Sequence, residues 1–323
     1  LERAAALLPA VPTSLVQPTT LVEPERDPAA WQGWRMRQLA PAATLAGRRL
    51  RRGDTVHLDL GTYCVGWIEL ALGHAGCPMD APLRLRVRLC EMPAAVGEFD
   101  APPASAMGLG WMQEEVITLD ELPATVRLPR RVAGRWLTLT CIDTSPIYQM
   151  TVDAVRVHAT MPRGAPLPPP TTLTARQAAI DRISVATLRH CMQTVFEDGP
   201  RRDRRLWTGD LRLQLLASGA ACPDLGLAER SLCLLAAFAR DADGALPACV
   251  FERPQPHSAD SVRDEKVKVL RSLRPITGPG VASDVVRAQY VAGTVNGRPV
   301  PGYREEERVH PASTTETYVA VRA

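Results

Sequence analysis

Between Asp54 and about residue 160, apolar and polar side chains alternate along the chain. In "DTVHLDLG", Val56, Leu58 and Leu60 alternate with His57 and Asp59; in "LRLRVRL", Leu83, Leu85, Val87 and Leu89 share one face, and Arg84, Arg86 and Arg88 the other. A period of two with one apolar face is the pattern of half-buried antiparallel strands. "VITLDEL", "WLTLTCI" and "MTVDAVRV" repeat it, separated by Pro- and Gly-containing turns such as "RLPRRVAGR". Short strands at this spacing predict a β-sandwich over 54–160. Residues 1–53, rich in Pro, Ala and Arg, carry little periodicity beyond an aromatic anchor, "WQGW", and read as an irregular N-terminal segment.

The period changes after "MPRGAPLPPPTTL" (161–173), a proline-rich linker that can neither continue a strand nor start a helix before its end. Thr174 and Gln177 then have the spacing of a capping box. Ile180, Ile183, Leu188, Cys191, Met192 and Val195 recur at helical spacing, predicting a helix that ends near Phe196. "DLRLQLLASGA" and "LAERSLCLLAAFARDADG" predict two more helices, the second stopped by Gly244.

Composition narrows the function classes. A net charge of +3 on 323 residues, mixed in sign along the chain, argues against a nucleic-acid partner. The eight cysteines contain no C-x-x-C pair, so packed, reduced thiols are expected rather than a metal or redox site. No apolar run reaches the length of a membrane span, and "LERAAALLPAVP" lacks the basic start of a signal peptide. A cytoplasmic location and no membrane partner are the resulting expectations. Composition leaves the oligomeric state open.

The densest chemistry lies in "EDGPRRDRRLWTGD" (197–210). Its Gly-Pro pair forces a turn, so Glu197, Asp198, Asp203 and Asp210 can converge from the end of one helix and the start of the next. Asp210, near the start of the following helix, is expected to be kept ionised by backbone N–H groups. Arginines can hold some carboxylates ionised while a less well-paired one stays protonated. Carboxyls of unequal pKa beside an indole suit a glycosidase, which needs an acid, a base or nucleophile, and an aromatic face for the sugar. Composition alone favours the plainer alternative, a solvated interhelical loop laced with ion pairs.

The run from Asp198 to Asp210 resembles the D-x-P-x-R-D/E…W-x-G-D signature of bacterial α-L-rhamnosidases. It is closer still to a related branch reading E-D-G-x-x-R-D-R. The similarity extends through "LCEMPAAVGEF", "WMQEEVITLDELPATVRLPRR" and "CIDTSPIY" to "LPACVFERP", roughly residues 45–258. The resemblance implies a β-sandwich followed by a six-hairpin α/α barrel that inverts the anomeric centre of a rhamnoside-type carbohydrate. It makes Asp203 the candidate general acid and assigns substrate binding to Asp198, Arg202, Trp207 and Asp210. Gly199 stands where rhamnosidases proper usually have Cys, and Arg204 where they often have an acidic residue, so the resemblance leaves the exact glycoside open.

From about Asp264 the sequence changes identity. "DEKVKVLRSLRPI", "VVRAQYVAG", "GRPVPGYREEERV" and "STTETYVAVR" resemble, in order, the start of the C-terminal domain of glucose-6-phosphate dehydrogenase. Locally they predict a short helix with Val267 and Leu270 inward, a strand over Val285–Val291 and a final strand over Thr315–Val321. The only lysines of the chain, Lys266 and Lys268, would lie on a solvated helix face. The family uses NADP, but the chain contains no G-x-G-x-x-G turn and no R-x-D-H-Y-L-G-K-E motif, so no cofactor and no metal are expected.

The expected fold is therefore multidomain: an antiparallel β-sandwich, a truncated α/α helical barrel segment over 174–260, and a small α+β fragment over 264–323. Twelve helices with short loops need roughly 200 residues, about twice what separates the linker from the change of identity. The barrel is expected to be incomplete, without its partner glutamate and without useful glycosidase activity. The readings left open are a truncated rhamnosidase-related hydrolase, a glucose-6-phosphate dehydrogenase fragment, and a non-catalytic fusion of the two.

Overall fold

The structure, a computed structural model, describes residues 1–98, 112–162, 164–239 and 246–251, together with the backbone of three further two-residue strands. The chain divides into two units, Thr13–Thr160 and Leu1–Pro12 with Met161–Ala323.

The first unit is built on antiparallel strands: β1 (Thr13–Val16), β2 (Thr20–Arg26), β3 (Trp34–Pro41), β4 (Arg49–Leu50), β5 (Thr55–Gly76), β6 (Leu83–Cys90), β7 (Glu114–Leu119), β8 (Ala124–Arg127), β9 (Val132–Asp143) and β10 (Tyr148–Thr160), with one short helix, α2 (Pro93–Gly97), after β6. Their order is β1-β10-β5-β9-β6-β7; β2 and β8 also pair with β5, β3 with β2, and β4 with β10. The 22-residue β5 pairs along its length with four strands, β2, β8, β9 and β10. Thr55–Asp59 and Cys64–Gly66 pair with β9 and His57–Asp59 with β2, while Gly66–Gly76 pairs with β10 and Glu69–Leu72 with β8. Pairing with β2 ends at Asp59, and the register against β9 shifts between Asp59 and Cys64; at this switch Gly61 adopts φ +75°, open mainly to glycine. The predicted alternation is realised: Val56, Leu58, Leu60, Leu83, Leu85, Val87, Leu89, Leu137, Leu139, Met150 and Val157 are buried in one core.

An ion pair secures the switch. Arg135 of β9 donates from Nε and Nη2 to the two carboxylate oxygens of Asp59 at 2.7 Å each, and Gly61 N donates to Asp59 Oδ1 at 2.7 Å. The backbone oxygen of Asp59 accepts from Thr19 N at 2.8 Å, tying the approach to β2 to the same point.

The N-terminal segment is not irregular, as its sequence suggested. Residues 13–41 contribute three strands to this sheet, whose alternation is muted because β1 and β3 are largely exposed. Residues Glu2–Ala6 form α1, which belongs to the second unit.

That second unit contains α3 (Ala175–Cys191), β11 (Leu206–Trp207), α4 (Thr208–Ala221), α5 (Leu225–Ala237), β12 (Cys249–Val250) and β13 (Pro256–His257). Thr174 and Gln177 form the expected capping box: Thr174 Oγ1 accepts from Gln177 N at 3.3 Å, and Gln177 Oε1 accepts from Thr174 N at 2.9 Å. Two expectations for this helix need correction. It ends at Cys191 rather than near Phe196, and Ile183 is 68% exposed because Val185, Leu188 and Met192 set the buried stripe. Asp224 caps α5 by accepting from Leu227 N at 2.9 Å, and α5 ends before Gly244, which lies outside the described residues. Leu188, Phe196, Leu206, Leu211, Leu215, Leu232 and Leu235 share the core with Ala4, and Arg230 of α5 donates to Ala4 O.

A further pair, β14 (Thr294–Val295) and β15 (Arg298–Pro299), is antiparallel. The strands expected at 285–291 and 315–321, and the helix carrying Val267, Leu270, Lys266 and Lys268, lie outside the described residues. The eight cysteines are thiols, six of them buried. Among the described residues, no helix is long and apolar enough to cross a membrane.

Asp59→Ala leaves Arg135 unpaired and the Gly61 turn uncapped. Because Arg135 retains solvent access, the expected loss is about 2 kcal/mol in urea unfolding of the first unit, and an unchanged midpoint would show that the pair does not secure the switch.

Candidate functional site

The charged stretch becomes a tight loop between α3 and α4. After α3, a bridge between Met192 and Phe196 turns the chain, and Glu197 N donates to Cys191 O at 2.8 Å. Glu197 is fully buried, and its backbone oxygen accepts from Gln214 Nε2 of α4 at 2.5 Å. The loop then closes on itself: Asp198 N donates to Arg205 O at 3.0 Å, and Arg205 N donates back to Asp198 Oδ1 at 3.0 Å. Within this closure, Arg204 N donates to Gly199 O at 3.2 Å. Asp203 and Arg204 take φ +21° and +53°, in the region that non-glycine residues seldom occupy.

Distant sequence supports the end of the loop. Leu206 and Trp207 pair with Val250 and Cys249, which pair in turn with Pro256 and His257. Thr208, at the start of α4, donates from N to Ala248 O at 2.9 Å and from Oγ1 to Pro247 O at 2.8 Å. The Arg205 guanidinium lies over the Phe251 ring, 4.3 Å from its centroid. Arg205, Gln214, Cys249 and Phe251 were not singled out from sequence. Only the short apolar run "ACVF" hinted at the supporting strand, and so short a run does not reveal its pairing partner.

All five residues assigned to the site fall on this loop or the first turn of α4. The charges of Asp203 and Asp210 both act on Asp198. Burial, reinforced by those two charges and opposed by the Arg205 and Gly199 backbone groups, pushes the Asp198 carboxyl up to about 6. Asp210 reaches solvent yet is ringed by protein, and loss of hydration raises its pKa against the pull of its own backbone N–H. The N–H at the helix start favours the ionised form of Asp210, as expected, but desolvation is larger and the net shift is upward. Arg202 is exposed, with Nε 3.4 Å from Asp203 Oδ1.

Trp207 Nε1 is shielded from water without a hydrogen-bond partner among the described residues, and Asp203 Oδ1, likewise shielded, has only the 3.4 Å ion-pair approach of Arg202 Nε. Orphaned buried polar atoms in a native fold call for a ligand, ion or water. Together with the desolvation of Asp198, they set this loop apart from a freely hydrated interhelical connection. An indole donor beside three carboxyls can grip hydroxyl groups and transfer a proton. Among the described residues, no group of three His, Cys, Asp or Glu side chains is placed to hold a metal ion.

Comparison with known proteins places two resemblances on the chain. Residues 18–159 match the family model described as the Glycosyl hydrolase family 78 alpha-rhamnosidase N-terminal domain. Residues 245–323 match the glucose-6-phosphate dehydrogenase C-terminal domain, so this match starts ahead of the change of identity read at Asp264. The chain is 34% identical to a rhamnosidase from Klebsiella oxytoca solved with rhamnose bound, with a TM-score of 0.82, covering 90% of this chain and 58% of that one. A family 78 rhamnosidase of Bacillus sp. GL1, at 17% identity and a TM-score of 0.59, shares the fold over 80% of this chain and 26% of its own. Curated relatives match only a short segment. Glucose-6-phosphate 1-dehydrogenase of Dickeya dadantii is 55% identical over 69 residues, 21% of this chain and 14% of the enzyme. That of Gluconobacter oxydans is 53% identical over 73 residues, again 14% of the enzyme. The chain thus resembles two families in successive stretches, as expected of a chimera, and spans only part of the relatives in either.

A carboxyl raised by its fold holds its proton more tightly in the folded chain than in the unfolded one. The Asp198 contribution therefore makes the fold less stable as pH rises from about 4 to about 6, and the cost is complete above that window. Asp198→Asn, which can still accept from Arg205 N, is expected to flatten that slope and to raise stability at pH 7 by up to about 2 kcal/mol after solvent screening. The check is urea unfolding of both proteins at pH 4 and pH 7; an equal slope in the two would contradict the desolvation of Asp198.

Proposed function

We propose that this chain is a rhamnosidase-related glycoside-hydrolase segment whose 197–210 loop binds a rhamnoside-type sugar without turning it over. Asp203 is the candidate general acid, Asp198, Asp210 and Arg202 hold sugar hydroxyls, and Trp207 lines the pocket and donates from its indole N–H. The observation that carries this reading is one loop presenting three carboxyls, two of them with raised pKa, together with Trp207 Nε1, shielded from water and without a hydrogen-bond partner among the described residues. The rhamnosidase from Klebsiella oxytoca, solved with rhamnose bound, supports the sugar class.

Inversion requires a base about 6.5–9.5 Å from the acid, across the scissile bond and with room for a water. Residues 245–323 resemble a dehydrogenase domain rather than further barrel helices, which would carry such a base. That supports binding without turnover; the proposal also takes the chain to be cytoplasmic and to use no cofactor. A second reading is favoured by the dehydrogenase relatives at over half identity: a C-terminal dehydrogenase fragment, for which NADP or glucose 6-phosphate would be the ligand.

Calorimetric titration of the full chain with L-rhamnose is expected to show saturable binding, weakened about tenfold or more by Trp207→Ala. An aryl α-L-rhamnoside should not be hydrolysed above the uncatalysed rate. Hydrolysis that Asp203→Asn removes would contradict the proposed inactivity while keeping Asp203 as acid. Binding of NADP without binding of rhamnose would favour the second reading.

A further inference from the structure

The outer face of the sandwich carries a recess that its packing does not require. The register sets two rows across three strands: Thr55, Thr140 and Arg86 in one, His57, Thr138 and Arg88 in the next. Their neighbours Val56, Leu58, Leu85, Val87, Leu137 and Leu139 point into the core, so these six residues face away from it. An outward sheet face is ordinarily open to solvent. Here Trp34, Pro24, Val96 and Gly97 wall it into a cleft of about 340 Å³, at the small end of the range for ligand pockets.

One wall is locked. A Cβ on Gly97 would lie 2.5 Å from the Trp34 ring, so glycine there lets the ring seat against α2. Trp34 Nε1 donates to Glu98 Oε1 at 3.0 Å, and the Arg26 guanidinium lies 4.4 Å from the ring centroid. The opposite wall is polar. Thr55 and Thr140 hydroxyls are 3.1 Å apart, and His57 Nδ1 is 2.9 Å from Thr138 Oγ1. Arg88 donates from Nε to Glu114 Oε2 at 2.5 Å and so neutralises it. Arg86 Nε, shielded from water, lies 3.7 Å from the same carboxylate and has no hydrogen-bond acceptor among the described residues.

We propose that this cleft is a binding site for an acidic monosaccharide unit of the uronate type, whose carboxylate pairs with Arg86 while its ring lies between the Trp34 wall and the threonine rows. Two guanidiniums share the one Glu114 carboxylate, Arg88 at 2.5 Å and Arg86 at 3.7 Å, and this excess of one positive charge suits a monoanion. The hydroxyl rows offer both donors and acceptors to ring hydroxyls. Burial lowers the pKa of His57, so the ring is neutral at pH 7 and can exchange hydrogen bonds with an uncharged hydroxyl. The wall of Trp34, Pro24 and Val96 suits C–H groups, which inorganic oxyanions lack. The proposal does not depend on the 197–210 loop.

The full chain is titrated calorimetrically with D-glucuronate, D-glucose and inorganic phosphate, and glucuronate is also followed by saturation-transfer NMR. Saturable glucuronate binding is expected, with ring protons saturated by the protein and glucose binding about tenfold or more weaker. Arg86→Gln and Trp34→Ala should each weaken glucuronate by about tenfold or more, while rhamnose binding is unaffected by Arg86→Gln. If Arg86→Gln does not melt cooperatively, Arg86→Lys takes its place, because it keeps the charge but removes the planar Nε–H; the same direction is expected. Phosphate or glucose binding as tightly as glucuronate overturns the proposal, as do an absence of saturable glucuronate binding and glucuronate binding unchanged in folded variants.

Discussion

The reciprocal link between Asp198 and Arg205 is the constraint on which the candidate site depends. Each residue donates its backbone N–H to the other, one to a carbonyl and one to a carboxylate, and this closes the loop over seven residues. Closure so tight leaves Asp203 and Arg204 in a backbone region that ordinary residues avoid. It also fixes Asp198 in surroundings poor in water, where the charges of Asp203 and Asp210 act on it. Backbone strain and carboxyl desolvation are each unfavourable alone. Their coincidence beside an unpartnered indole N–H is better explained by a binding site than by a passive connection.

The same logic of a secured turn recurs in the sandwich. At Asp59, β5 loses its pairing with β2 and shifts register against β9. Arg135 grips both oxygens of that carboxylate while Gly61 supplies the left-handed turn. With β5 fixed, the register of β9 and β6 follows, and that register lines up the threonine, histidine and arginine rows on the outer face. Each unit thus uses a carboxylate that accepts a backbone N–H to hold an unusual turn in place.

Much of this was legible in sequence, for identifiable reasons. Alternation announced β5, β6, β9 and β10 because each buries a full apolar face in the core. It failed over residues 13–41, where β1 and β3 bury little. The end of α3 was misplaced because Met192, Val195 and Phe196 are buried in the core without being helical. Asp198, Arg202, Asp203, Trp207 and Asp210 could be grouped because they lie within thirteen residues of one another. The supporting strand Cys249–Val250 and the Phe251 ring over Arg205 could not, since their contacts span more than forty residues. The sign of the Asp210 shift was out of reach too: it depends on how much protein surrounds the helix start, which spacing does not reveal.

The central claim is that desolvated carboxyls in this loop meet a sugar. A carboxyl-carbon NMR titration of the full chain, with and without L-rhamnose, tests it most directly. The account predicts one aspartate titrating near 6, absent in Asp198→Asn, whose midpoint moves when rhamnose is added. Aspartates that all titrate in the ordinary range, with no response to rhamnose, would contradict it.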